Sequence, residues 1–112
     1  MFTTFTVKGH DYKLRLGAKA VIDLEKKLQK NPVQILADIA EGGQVPGLEP
    51  FLIIMQGAMS QLNHGVDMAK MYEIYDDYIE EGHTMYDLVA VIMDVFKVSG
   101  LIPENPEKDE KN

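Results

Sequence analysis

The stretch FLIIMQGAMSQLN, residues 51–63, places apolar side chains on nearly every side of a helix. The apolar positions are Phe51, Leu52, Ile54, Met55, Ala58, Met59 and Leu62. A helix that is apolar all round has to be covered by other parts of the protein. We therefore predict a helix from about Glu49 to Asn63 at the centre of the fold, surrounded by the other elements.

A β-hairpin is predicted over residues 2–16, ahead of this central helix. The runs FTTFTV and DYKLRL are rich in β-branched and aromatic residues, and in the second run apolar residues alternate with Lys13 and Arg15. Alternation is the period of a half-buried strand, and the intervening KGHD supplies turn residues. Because two strands alone are marginally stable in water, we expect the hairpin to pack against the helices.

Two amphipathic helices are predicted between the hairpin and the central helix. The first begins at Gly17 and carries LEKKL, with apolar residues at three- and four-residue steps. The Asn31-Pro32 pair ends it and starts the second helix, with Asn31 as N-cap and Pro32 in the first turn. We expect the second helix to end at Gly42-Gly43.

Two more helices are predicted after the central one. Asp67 is the expected N-cap of the fourth helix, which ends at Gly82. Thr84 is the expected N-cap of the fifth, which ends near Ser99-Gly100. The fifth helix is predicted to be another core helix because it carries the apolar set Tyr86, Leu88, Val89, Ile92, Met93, Val95 and Phe96.

These elements predict a mainly α fold, with an N-terminal β-hairpin followed by about five helices in one small domain. The domain covers residues 1–100, with the hairpin at 2–16 and the helices at 17–99. Residues 101–112, LIPENPEKDEKN, hold two prolines and few apolar residues, so we predict a flexible, disordered acidic tail.

The composition narrows the class of protein. The chain has no Cys, so it can form no disulfide, no thiolate metal site and no cysteine nucleophile. Its longest apolar runs, FLIIM and LVAVIM, are far shorter than the roughly 18–20 residues that a membrane-spanning helix needs. The N-terminus shows no apolar signal-peptide region. We therefore expect a soluble cytoplasmic protein with no membrane partner.

The net charge of −7 is unevenly distributed. Residues 1–30 hold seven basic and three acidic groups, whereas residues 31–112 hold four basic and fifteen acidic groups. An acidic protein repels the phosphates of nucleic acid, so we expect no nucleic-acid partner. Opposite charges at separate places on one molecule favour head-to-tail contact between copies.

The acidic stretch EIYDDYIEEGH, residues 73–83, is the most conspicuous candidate site. On a helix from Asp67 its carboxylates lie opposite a stripe formed by Met68, Met71, Tyr72, Tyr75, Tyr78 and Ile79. We interpret the acidic side as a solvated face or as a docking face for a basic partner. The alternative is a small metal-dependent enzyme that uses Glu73, Asp77, Glu80 and His83. The chain lacks an EF-hand, a phosphate-binding loop and a nucleophile motif, so we expect no enzymatic activity and no cofactor.

Methionine and tyrosine form a second candidate surface. Met55, Met59 and Met93 are interpreted as core residues, because Met fills irregular gaps in cores. For Met68, Met71 and Met85, near Tyr72, Tyr75, Tyr78 and Tyr86, an adaptable partner-binding surface is the alternative to core packing.

Part of the pattern resembles a known family. It is carried by Lys8–Leu16, then by Ala20–Leu28 with its LEKKL, then by Asn31-Pro32. This succession resembles the tail assembly chaperones of long-tailed phages and prophages of Gram-positive bacteria, over roughly residues 5–100.

The resemblance implies a small cytoplasmic protein that coats the tape measure protein and keeps it soluble while the tail tube assembles. It also implies self-association, and no catalytic residues. Our hypothesis for that contact is that the face bearing Lys13, Arg15, Lys26 and Lys27 meets Glu73, Asp77 and Glu80 of the next copy. The rival interpretation, besides the metal-dependent enzyme, is another acidic interaction protein such as an inhibitor that mimics DNA.

Overall fold

The computed structural model describes residues 1–42 and 46–104. It contains a two-stranded antiparallel sheet and five helices: β1 (Thr3–Val7), β2 (His10–Leu14), α1 (Ala18–Leu28), α2 (Pro32–Ala40), α3 (Leu48–Met59), α4 (Met68–Glu80) and α5 (Asp87–Val98). This confirms the predicted mainly α fold with an N-terminal hairpin in one small domain.

The predicted central helix is α3. Six of its twelve residues are buried, and the helix contacts β2, α1, α4 and α5. It is shorter than predicted, because it ends at Met59, and Leu62 is 42% exposed and not part of the core. The chain turns at this point because the amides of Leu62 and Asn63 both donate to the Met59 carbonyl, which carries Asn63 towards the hairpin.

The hairpin is closed by the two-residue turn Lys8-Gly9. Both residues have positive φ, 52° and 75°, as a type I′ turn requires, and Val7 pairs with His10 on either side of it. The inward-facing residues Phe5 and Val7 are buried. One face of the hairpin thus covers part of the helical core. This packing stabilises the two strands, which would be marginally stable alone.

Asn63 attaches the outer edge of β2 to the end of α3. Its Oδ1 accepts from the Lys13 amide at 3.0 Å, and its Nδ2 donates to the Lys13 carbonyl at 2.6 Å and to the Met59 carbonyl at 2.9 Å. The side-chain amide of Asn63 therefore pairs with both the backbone N–H and the backbone C=O of Lys13, as a neighbouring strand would. Just beyond, the Arg15 amide donates to the Ala58 carbonyl at 2.9 Å.

The helix starts follow the predicted caps in two cases. Asn31 accepts from the Val33 amide and Asp67 accepts from the Lys70 amide, so both are N-caps as predicted. Thr84 is not the cap of α5, which begins at Asp87. Residues 84–86 form a turn instead, in which the Asp87 carboxylate accepts from the Thr84 amide at 2.8 Å.

Two residues of the predicted fifth helix that were expected in the core are exposed, one just before α5 and one within it. Tyr86 is 62% and Met93 is 38% exposed, whereas Leu88, Ile92, Val95 and Phe96 are buried. The helix is apolar on more than one side, but only one side faces α3. Periodicity alone could not show which side that is.

Packing continues beyond the predicted domain end at residue 100. Gly100, with φ of 78°, ends α5 in a Schellman motif, in which the Leu101 amide donates to the Phe96 carbonyl at 2.9 Å. Leu101 and Ile102 then lie half-buried against the core. Most of the predicted tail, residues 105–112, lies outside the described residues. None of the described helices is long and apolar enough to cross a membrane.

The central position of α3 predicts a large difference between two isoleucine truncations. Ile54 is fully buried in α3, whereas Ile22 on α1 is 50% exposed. Ile54→Ala should lower the free energy of unfolding by about 2–5 kcal/mol because it removes apolar contacts and leaves a cavity. Ile22→Ala should change it by less than about 0.5 kcal/mol. Urea denaturation followed by circular dichroism measures the free energy of unfolding of both variants. Equal losses in the two variants would contradict the central position of α3.

Candidate partner-binding surface

The predicted methionine and tyrosine stripe on α4 does not form one surface. Met71 and Tyr78 are 1% and 5% exposed, and they belong to the core together with Ile74, which the prediction omitted. Tyr72 is exposed and Tyr75 is half-buried. The buried residues of α4 follow steps of three and four, at positions 71, 74 and 78. The predicted stripe was wrong because it included the exposed Tyr72 and left out Ile74.

The remaining methionines of that candidate surface also pack against the core. Met68 and Met85 are half-buried against the core. Tyr86, in contrast, is largely exposed and lies just before α5. Large exposed apolar side chains therefore remain on α4, at Tyr72 and Ile79, and also at Tyr86, which precedes α5.

The acidic side of α4 faces outward as predicted, but its C-terminal end has a partner in the same chain. The Lys8 Nζ lies 3.0 Å from the Glu80 Oε2, and the Lys8 amide donates to the Glu81 Oε1 at 3.0 Å. The hydrogen bond and charge of Glu80 raise the pKa of Lys8 above its usual value. The hairpin turn thus meets the acidic helix end within one molecule.

The other residues of the hypothesised charge contact stay apart within the chain. Lys13, Arg15, Lys26 and Lys27 are exposed, and none forms an ion pair within residues 1–42 and 46–104. The Lys13 Nζ lies 5.2 Å from the centre of the Phe2 ring. On the acidic side, Glu73 is 3.8 Å from Lys70 and Asp77 is half-exposed.

His83 is exposed and lies against Tyr78 and Asp87. Its ring stacks on Tyr78 at 4.2 Å between centroids with an interplanar angle of 8°, and its Nδ1 is 3.6 Å from the Asp87 Oδ2. Over the part of the chain that the structure describes, no group of three or more His, Asp or Glu residues is arranged to hold a metal ion.

A polar cavity of about 270 Å³ lies between α1 and α3. Lys19, Asp23, Lys27, Gln56 and Gln61 are among its lining residues. The Lys19 Nζ lies 2.9 Å from the Asp23 Oδ2 and holds the pKa of Asp23 below its usual value. Both side chains remain substantially exposed, so their pairing is that of an ordinary surface i,i+4 contact.

An open apolar groove of about 390 Å³ lies between α2 and α5, and we call it the α2–α5 groove. Every lining residue is apolar: Val33, Leu36, Ala37, Ile39, Ala40, Val89, Met93 and Ile102. Ile102 reaches the groove because the turn at Gly100 sends the chain back over the helices. Concave apolar sites of several hundred Å³ are typical binding sites in proteins.

Acidic residues follow the lining of this groove along the chain. Five carboxylates stand within two sequence positions of a lining residue, and we call them the flanking acids: Asp38, Glu41, Asp87, Asp94 and Glu104. No Lys, Arg or His stands within that distance. The charged sequence neighbours of the groove are therefore all acidic, and one of them, Asp38, is paired with Lys30.

Sequence reasoning missed the α2–α5 groove, although the sequence carries a signal for it. In α2, PVQILADIA, only Gln34 and Asp38 are polar, yet only Pro32 and Ile35 are buried. A nine-residue helix with so few polar residues requires cover on more than one side. The half-buried apolar residues of α2 and the outer side of α5 together line the groove.

The chain belongs to a protein family whose function is not known. The model of that family, described as "Family of unknown function (DUF6096)", matches residues 2–112. No curated protein and no solved structure matches the chain.

The burial of Tyr78 predicts a specific loss of stability in alkali. Burial, with a smaller contribution from the charge of Asp87, raises the pKa of Tyr78 above its usual value of 10.0. A raised pKa in the folded state stabilises the protein below pH 10, and this contribution is lost as the pH rises further. The free energy of unfolding should therefore fall less steeply above pH 10 in Tyr78→Phe than in the wild type.

Urea denaturation at pH 8 and at about pH 10.5–11 measures this difference. Tyr72→Phe, which removes an exposed hydroxyl from the same helix, is the matched control. If the free energy of unfolding falls as steeply with pH in Tyr78→Phe as in the wild type, ionisation of the Tyr78 hydroxyl does not cause the loss of stability in alkali.

Proposed function

We propose that this protein is a tail assembly chaperone of a phage or prophage, which binds the tape measure protein in the host cytoplasm and keeps it soluble while the tail tube assembles. The resemblance of the hairpin, LEKKL and Asn31-Pro32 segments to that family supports the proposal. The structural observation that carries it is the α2–α5 groove, an apolar surface that the chain itself leaves open.

The α2–α5 groove has the character that such a chaperone requires. A long helical protein that aggregates without protection exposes apolar helix faces, and an apolar groove between two helices can accept such a face. Met93 lies 38% exposed at the groove. Its unbranched thioether side chain can adjust to different partner side chains, which suits a protein that binds several segments of one long partner.

Self-association is the second part of the proposal. The basic face with Lys26 and Lys27 is free to meet an acidic face of another copy. Glu80 is paired with Lys8, and Glu73 lies 3.8 Å from Lys70. Asp77 has no ion pair among the described residues, so it is the carboxylate of this set that is most available for the contact.

Solubility of the tape measure protein tests the chaperone role. Co-expression with the wild-type chain should keep the tape measure protein in the soluble fraction, and Met93→Glu should return most of it to the pellet because a carboxylate enters the apolar groove. Ile79→Glu is the matched control, since Ile79 on α4 is 37% exposed and Met93 is 38% exposed.

The two parts of this result are separable. A tape measure protein that stays insoluble with the wild-type chain would refute the chaperone role. Retained solubility with Met93→Glu would refute the assignment of the groove.

Self-association through charge should depend on salt. Sedimentation velocity should show oligomers at about 50 mM salt that dissociate at about 500 mM, where the Debye length is only a few ångströms. Lys26→Glu with Lys27→Glu should weaken the oligomer, whereas Lys97→Glu on α5 should not. An oligomer of unchanged size at both salt concentrations would contradict the charge contact.

A further inference from the structure

We infer that the α2–α5 groove binds an amphipathic helix of another protein, and that this helix carries Lys or Arg beside its apolar stripe. The inference rests on the proposed function for the idea of a helical partner, and it adds the chemical character of the segment that is bound.

The apolar requirement comes from the lining of the groove. Leu36, Val89 and Met93, with the other lining residues, present only aliphatic and thioether groups. The volume of about 390 Å³ accommodates a few aliphatic side chains and not an entire helix. A helix resting on the groove would therefore insert anchors at positions i, i+3 or i+4, and i+7.

The basic requirement comes from the flanking acids. Asp38 is 3.8 Å from Lys30, and Asp87 accepts from the Thr84 amide, so these two carboxylates have partners in the chain. Glu41 and Asp94 are exposed, directly follow the lining residues Ala40 and Met93, and have no ion pair within the described residues. Lys or Arg flanking the apolar stripe of a partner would complement them.

The same charges argue against other occupants. Anionic lipid surfaces and nucleic acids are repelled by the flanking acids, of which only Asp38 forms an ion pair with Lys or Arg among the described residues. Residues 105–112, NPEKDEKN, hold no apolar residue except Pro106, so they supply no set of anchors. A second copy could offer its basic helix α1, but Ile22 is the only large apolar side chain exposed on that helix.

Two synthetic peptides test the inference with the full chain. Both are helices of about 18 residues with the same leucine stripe, and they differ only in having Lys or Glu beside that stripe. Fluorescence anisotropy of the labelled peptides should show that the Lys peptide binds at least about tenfold more tightly at low salt, and that this ratio falls as salt screens the charges.

Three sets of variants locate the binding. Met93→Glu should weaken binding of the Lys peptide more than about tenfold, and the milder Met93→Gln should weaken it in the same direction. Glu41→Gln with Asp94→Asn should weaken the Lys peptide roughly threefold to tenfold and reduce its salt dependence. Glu25→Gln with Asp76→Asn neutralises two exposed acids on α1 and α4 and should leave binding unchanged.

Several outcomes would overturn the inference. Equal affinities for the two peptides would remove the charge preference, and binding that both Met93 variants leave intact would place the site elsewhere. If Met93→Glu converts an oligomer of the free chain to monomers, a second copy is the occupant. Preferential binding of the Lys peptide with no effect on the tape measure protein would keep this inference and refute the proposed function. If the tape measure protein stays soluble but the two peptides bind equally well, the proposed function is kept and this inference is refuted.

Discussion

The apolar helix α3 has to be buried, and this requirement governs how the other elements pack. A helix with apolar residues on almost every side must be surrounded, and here β2, α1, α4 and α5 surround it. Each of these elements turns one apolar side inward, and the hairpin gains from α3 the support that two isolated strands lack. The backbone bond from Arg15 to Ala58 and the side chain of Asn63 then hold the hairpin at the end of this helix.

The same constraint explains why an apolar groove remains open. Covering α3 uses only one side of α5, while α2 packs against α1 and α5 at the edge of the fold. Both helices are more apolar than this packing needs, so Met93 of α5 stays exposed and Leu36 of α2 only half-buried. An apolar surface that the protein leaves uncovered marks an interaction site more often than it serves stability.

The charged residues that the structure describes lie on the surface and contribute little to the packing of the fold. The basic N-terminal part and the acidic α4 meet within the chain at Lys8 and Glu80, where the turn of the hairpin reaches the end of the helix. Exposed pairs of this kind contribute little to stability. Glu41 and Asp94, which have no ion pair among the described residues, matter for the proposed partner, because charges beside an apolar surface affect which molecules approach it.

The residues alone predict the central position of α3, the β-hairpin ahead of the helices, and the N-caps Asn31 and Asp67. These are local properties, since capping and periodicity act within a few residues. Packing between elements sets which side of α5 is buried, places Ile74 and not Tyr72 in the core, and brings Lys8 to Glu80. A helix that is apolar on several sides has no single direction that periodicity can identify. The elements that pack against it therefore determine which side is buried.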